Sequence, residues 1–439
     1  MFVILSFSVG NPAILAQTSI QTFAPKPLLG FNSYDSYRSD LTADKAYALM
    51  NVMAEEYLPF GYEYFVMDAG WYITKNPTIH KNTGLESFGV CVVNPERFPN
   101  GIKVLIDHAH KKGLKFGVWM MRGISKEAVI KNLPIPGTKY FSRDIADTTN
   151  VCAWSEMNYG VDMSKPGAQE YYNSIIDTLA NWGVDFIKVD DVVPNPQEIV
   201  AIANAIEKGK HKMLLSLSPG DVHHQAHLHY YKRANMLRIT RDIWDNPLSI
   251  EKGFFAWEKF QGISGPGFWP DMDMIPFGHL DVINKDARKS NFDENQMKTF
   301  ITQRSMAASP LIIGGDLLTM DDYSKSLLTN KKMLACNQNG VMGVNVYRAG
   351  NLDVWLTPHK TNPRMGWIGI FNRTTTDRKV TLTKQDLGFV AFEASYNLMP
   401  ARQSFLLQDV WSDHTITIKD NYTFTISAEG VVFYEFQMQ

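Results

Sequence analysis

Up to residue 340, short apolar runs rich in β-branched and aromatic residues alternate with stretches whose apolar positions recur every three or four residues. The runs are PLLGFNSYD, YEYFVMDAGW, LKFGVWMMRG, VDFIKVDDV, MLLSLSPG, ANMLRITRD, FWPDMDMI and PLIIGGDL. Each predicts a strand and each interval a helix, and eight such units predict a closed parallel (β/α)8 barrel, a TIM barrel, rather than an open sheet. GAQEYYNSIIDTLANWG illustrates the helices: Tyr172, Ile175, Leu179 and Trp182 form one stripe, and Gly183 stops it. From residue 341 the helical period disappears. VNVYRAG, LDVWLTP, GWIGIFNRTTTD, KVTLT, SYNLMP, TITIKD, YTFTISAEG and VVFYEF alternate in and out between turn clusters, which predicts an antiparallel β-sandwich. The expected fold class is therefore α/β, with residues 25–340 forming the catalytic barrel and 341–439 a C-terminal sandwich. Residues 1–24 read as a possible export signal and N-terminal arm. MFVILSFSVGNPAILAQ is apolar and has small residues near Ala16 but lacks a basic start, and its apolar stretch carries the expectation of secretion or periplasmic export. No other stretch is apolar enough to span a membrane.

Composition narrows the partners. Forty-three Lys and Arg nearly balance 45 Asp and Glu, with no basic run, so the electrostatic footprint of a nucleic-acid binder is missing and a neutral ligand is expected. The three cysteines, Cys91, Cys152 and Cys336, have neither metal-ligand spacing nor the even count of a disulfide framework, although one pair remains open. Oligomeric state is not encoded in any of these patterns.

The chemistry gathers at the strand ends, where a barrel of this kind presents its polar residues to a ligand. These ends carry Asp68 and Trp71, Trp119 and Arg122, Lys188, Asp190 and Asp191, Ser218, Arg238 and Asp242, and finally Trp269, Asp271 and Asp273. Sugars are polyols with apolar ring faces, gripped by charged hydrogen bonds and aromatic planes, so this inventory suits a carbohydrate. Two carboxylates from different strands are what glycosidic cleavage requires, and Asp190 and Asp242 are the candidates. Lys188, two positions from Asp190, projects to the same side of its strand and would be costly to bury unpaired. Asp191 reads as a turn former, and Asp271 and Asp273 as residues that orient Arg238. Trp71 and Trp119 are as compatible with core as with platform when taken singly, and their joint position at strand ends favours the site. His223 and His227, one helical turn apart, form a rival metal-ligand pair, but they lack a matching Glu or Cys and read as a solvated helix face. GISGPGFW lacks the Lys and hydroxyl of a phosphate loop. Neither a metal nor an organic cofactor is called for.

With these residues identified, the chain resembles the α-galactosidases of glycoside hydrolase family 27, in clan D, over nearly its whole length. The anchors are GFNSYDSY, YEYFVMDAGW, GLKFGVWMMRGIS, YGVDMSKPGAQEYY, WGVDFIKVDD, RITRD, WPDMDM and SPLIIGGDLLTM. The resemblance implies Asp190 as nucleophile and Asp242 as acid/base. It also implies Asp68, Lys188 and Arg238 as hydroxyl-binding residues, Tyr34 and Trp119 as aromatic walls, and Asp273 as a carboxylate near the reacting sugar. Two departures concern the substrate. Ala69 follows Asp68 where many members have a second Asp, and Ser218 stands where animal α-galactosidases have Glu, as in α-N-acetylgalactosaminidases. MRGIS and SLSPG point to a bacterial and plant-like subgroup whose relatives include β-L-arabinopyranosidases. The implied activity is release of terminal α-linked galactose with retention. The alternatives are the same chemistry on one of those related sugars, or a barrel that binds glycans without cleaving them. Asn372 and Asn421 begin glycosylation sequons.

Overall fold

A computed structural model describes residues 22–72, 93–155, 157–219, 223, 225–384, 386 and 404–439. Each of the eight runs forms a barrel strand: β1 (Leu29–Asn32), β2 (Tyr64–Met67), β3 (Lys115–Met121), β4 (Phe186–Asp190), β5 (Leu214–Leu217), β6 (Met236–Arg238), β7 (Trp269–Asp271) and β8 (Leu311–Ile313). Neighbours in sequence are parallel neighbours in space from β1 to β7, and β8 pairs with β1. Closure between β7 and β8 rests on a parallel bridge from Ile275 to Ile313, with Ile275 N–H donating to Ile312 O at 2.8 Å. The strands are buried along nearly their whole length, as a parallel sheet covered by helices requires.

The crossover helix Ala168–Trp182 lays Tyr172, Ile175, Ile176 and Leu179 on the barrel and ends at Gly183, whose φ of +93° is readily adopted only by glycine. One addition interrupts the alternation. Between β3 and this helix the chain builds a three-stranded antiparallel sheet from Ile124–Ser125, Ala146–Val151 and Asn158–Val161 at the rim of the barrel. Arg122 anchors it, donating from Nη2 to Asn150 Oδ1 at 2.7 Å while Nη1 pairs with Glu198 at 2.9 Å.

Beyond the barrel come β9 (Val344–Ala349), β10 (Leu352–Pro358), β11 (Met365–Asn372), β12 (Arg378–Thr383), β13 (Phe405–Asp409), β14 (Thr415–Ile418), β15 (Asn421–Ile426) and β16 (Val431–Met438). They form a six-stranded antiparallel sheet, ordered β9-β10-β11-β16-β13-β14, and a two-stranded sheet of β12 and β15. β13 was not among the expected strands, and SYNLMP lies outside the described residues. Strand alternation explains how one sheet serves two interfaces: Leu352, Val354 and Leu356 of β10 enter the sandwich core, while Trp355 points the other way and stacks on Trp257 of the barrel at 3.7 Å. Asn372 is buried with its amide donating to Thr376, Ile426 and Ser427 carbonyls, so this sequon does not present an accessible side chain.

Among the described residues, no helix is long and apolar enough to cross a membrane. Cys152 and Cys336 are buried free thiols, Cys91 lies outside the described residues, and so does all of the possible export signal but residues 22–24.

Candidate active site

The carboxyl ends of the barrel strands surround a cavity of about 510 Å3, lined among others by Tyr34, Asp68, Trp119, Lys188, Asp190, Arg238, Asp242 and Asp273. That volume falls in the ~300–1,000 Å3 range of small-molecule sites. Parallel strands deliver these groups because every carboxyl end points to the same rim, so residues far apart in sequence become neighbours.

Asp190 closes β4 and accepts a hydrogen bond on Oδ2 from Trp119 Nε1 at 2.7 Å; Oδ1 is buried without a protein partner. Burial alone would raise its pKa. The charges of Lys188 and Arg238 and the Trp119 hydrogen bond outweigh burial and hold it below the ordinary carboxylate value, so the group is an anion at neutral pH. An ionised carboxylate that lines a cavity is equipped to act as a nucleophile.

Lys188 has a different partner from the one its spacing suggests. Its ammonium donates to Asp68 Oδ2 at 2.9 Å, and that oxygen also accepts from Asn32 Nδ2 at 2.7 Å. Asp68 Oδ1 accepts the Ala69 amide at 2.7 Å. Burial disfavours the Lys188 charge, but Asp68 and Asp190 together more than compensate and raise its pKa.

Arg238 bridges the opposite side. Nη2 donates to Asp242 Oδ1 at 2.5 Å and Nη1 to Asp273 Oδ1 at 3.3 Å, while Asp273 Oδ2 accepts the Ile243 amide at 2.8 Å. Asp242 is 72% exposed, whereas Arg238 is only 6% exposed. One carboxylate therefore stands at the open side of the cavity and the other, Asp190, on its floor. Asp273 holds Arg238, as the shared face in WPDMDM suggests. Asp271 lies deeper and is pushed up to about 6 by burial and by Asp273.

Two expected site residues do not line the main cavity. Trp71 is not at the cavity: it is buried behind Trp119, donates its Nε1–H to Trp119 O at 2.6 Å, and packs edge-on against Tyr72 and Trp182. Its contribution is to fix the strand that carries Trp119. Ser218 is fully buried below the cavity and lines a narrower pocket of about 30 Å3 with Lys188, Arg238 and Asp273; its neighbour Pro219 reaches the main cavity. The histidine pair also differs from expectation. His223 is half-buried, packs on Tyr231 and Phe260 and meets Arg238 O at 2.8 Å, while His227 closes a short 3-10 turn. Among the described residues, no group of His, Cys, Asp or Glu converges to hold a metal ion.

Among the lining residues that sequence reasoning missed are three with distinctive chemistry. Trp154, 55% exposed, comes from the turn that joins two strands of the rim sheet, whose only signal was the excess length between β3 and the following helix. Trp244 lies under the Arg38 guanidinium at 4.2 Å. Asp35, inside GFNSYDSY, is buried and lines the cavity.

A family model described as alpha galactosidase A matches residues 137–339, and one described as melibiase matches residues 16–218. A β-L-arabinopyranosidase of glycoside hydrolase family 27 from Geobacillus stearothermophilus, solved in complex with arabinose, is 32% identical, with a TM-score of 0.89 and alignment over 96% of this chain and 99% of its own. The chain belongs to glycoside hydrolase family 27. It is a glycosidase, and within the family it is also similar to α-galactosidase A of Cellvibrio japonicus, 25% identical over 95% of this chain and 94% of that one. The α-N-acetylgalactosaminidase of Gallus gallus is 25% identical over 85% and 81%.

Proposed function

We propose that this family 27 enzyme is a retaining exo-glycosidase that releases a terminal α-linked galactose from oligo- or polysaccharides, with Asp190 as nucleophile and Asp242 as acid/base. The observation that carries the reading is the placement of both carboxylates on one cavity, with Asp190 ionised on the floor and Asp242 at the open side, where a leaving group would exit. In the first step Asp190 attacks the anomeric carbon as Asp242 gives a proton to the departing oxygen. In the second, Asp242 takes a proton from water, whose oxygen displaces Asp190 from the sugar. Two inversions give net retention. Lys188, Asp68 and Arg238 offer fixed charges to ring hydroxyls, and Tyr34 and Trp119 offer flat walls.

One observation favours a second substrate. Ala69 lines the cavity next to Asp68 and offers no polar side chain, so one hydroxyl contact is missing on that wall. β-L-Arabinopyranose has the ring configuration of α-D-galactopyranose without its exocyclic CH2OH, and such a pentoside loses least from that change. A panel of nitrophenyl glycosides of α-D-galactose, β-L-arabinopyranose and α-N-acetylgalactosamine tests both readings, with proton NMR of the first-formed anomer. Hydrolysis of none of the three, or release of the inverted anomer, rejects the assignment.

We further propose an exported location, on the apolar opening of the chain alone. Detection of the untagged protein outside the cytoplasm after fractionation of its host checks it.

A further inference from the structure

The carboxyl group of Asp35 has no role in the site as described above, yet it is 1% exposed and belongs to the cavity wall. Its Oδ2 is buried without a hydrogen-bond partner, and no bond to Oδ1 is formed among the described residues. Its neighbours Ser36 and Tyr37, by contrast, are engaged, through Gly314 O and Asp316 respectively. A buried polar group without a partner destabilises the fold, so a side chain kept in that condition beside a cavity points to a partner supplied by the ligand.

The surrounding chain is shaped to keep the carboxyl there. Gly314, just past β8, lies so close that a Cβ at this position would stand 2.2 Å from Asp35 Oδ2. Any side chain at residue 314 would push the carboxyl out of its pocket. Asp35 thereby occupies the wall where β1 meets β8, and its strongest charged neighbours are Asp273, Arg38, Lys188 and Asp68.

We propose that Asp35 is a specificity-determining residue that hydrogen-bonds a hydroxyl oxygen of the bound sugar. The inference rests on the reading of this cavity as a sugar site. Burial, reinforced by Asp273, raises the Asp35 pKa well above the ordinary carboxylate value against the opposing charges of Arg38 and Lys188, which favours the protonated form. A neutral carboxylic acid donates one hydrogen bond and accepts another, unlike Asp68, whose two oxygens already accept from Lys188, Asn32 and the Ala69 amide. The site thus offers the sugar, on the wall between β1 and β8, a carboxyl group that can donate as well as accept.

The test uses the full chain and compares wild type with Asp35→Ala and Asp35→Asn, since an amide can also donate. Hydrolysis of nitrophenyl α-D-galactopyranoside and β-L-arabinopyranoside is measured together with calorimetric binding of free D-galactose and L-arabinose. The expected result for Asp35→Ala is a rise of about ten-fold in KM and in monosaccharide Kd, with a smaller change in kcat and a melting temperature no lower than that of wild type. Asp35→Asn is expected to recover most of the lost affinity. Unchanged KM and Kd in Asp35→Ala would overturn the proposal, and so would an Asn variant no better than Ala. A wild-type enzyme that cleaves neither glycoside defeats the assignment of function instead, whereas an active wild type with an indifferent Asp35→Ala defeats only this inference.

Discussion

Lys188 is bonded to Asp68, 2.9 Å from its Oδ2, and not to Asp190 two residues along its own strand. The cation therefore ties β4 to β2 and acts on Asp190 through space, leaving the Asp190 carboxylate without an ion-pair contact to break before it attacks. A buried ammonium bonded directly to the nucleophile would have to be displaced at each turnover, whereas one held by Asp68 stabilises the anion and stays in place.

Asp190→Asn is expected to fold normally and to lose turnover by about four orders of magnitude, because the amide cannot form the covalent intermediate. Steady-state hydrolysis of a nitrophenyl glycoside, alongside circular dichroism, checks it; a variant that keeps a tenth of the wild-type rate would remove Asp190 from the mechanism.

The acid limb of the pH profile should report Asp190. Its pKa is held below the ordinary 3.8, so the ionised form contributes stability above that pH, and both this stability and activity decline as pH falls through the lowered value. Lys188→Met removes the principal opposing charge and leaves burial to dominate, which moves the limb of kcat/KM to higher pH. A limb that stays put or moves down would contradict the electrostatic role given to Lys188.

Trp119→Phe keeps the aromatic wall and deletes the Nε1–H that donates to Asp190 at 2.7 Å. A hydrogen bond to a charged group is worth ~1.5–3 kcal/mol, so kcat/KM should fall by about ten- to a hundred-fold. An equal change in Trp71→Phe, whose indole bonds only the Trp119 carbonyl, would show the loss to be one of packing instead.

Arg122→Met should act on stability. The guanidinium is 3% exposed and pairs with Glu198, also 3% exposed, and with Asp191 at 2.9 Å, while holding the rim sheet through Asn150. Its removal leaves buried carboxylates uncompensated, at a cost of ~3–5 kcal/mol, visible as a lower denaturant midpoint. A midpoint equal to wild type would mean that the rim sheet is held by other contacts.

The eight strands, the helix ending at Gly183 and the alternation that builds the sandwich were legible because periods of two and of three to four residues are local consequences of backbone geometry. β13 escaped notice because Phe405, Leu406 and Leu407 are consecutive apolar residues that hide the in-and-out alternation. The candidate site was legible to the same depth: a strand pointing toward the rim presents its last residues there, which identified Asp68, Lys188, Asp190, Arg238 and Asp242 without coordinates.

Which of these groups touch was decided by tertiary structure. The stagger of neighbouring strands matches Trp119 with Lys188 across β3 and β4 and carries Lys188 to Asp68, a partner 120 residues away that no local pattern encodes. The same packing places Trp71 behind Trp119, brings Gly314 against Asp35 and sets Trp154, from the turn between two rim strands, into the lining of the cavity. Sequence by itself determined what each strand end carries, since that depends on a residue and its immediate neighbours. Barrel closure and side-chain packing determined what each group bonds, since those contacts join segments whose separation in the chain says nothing about their distance in space.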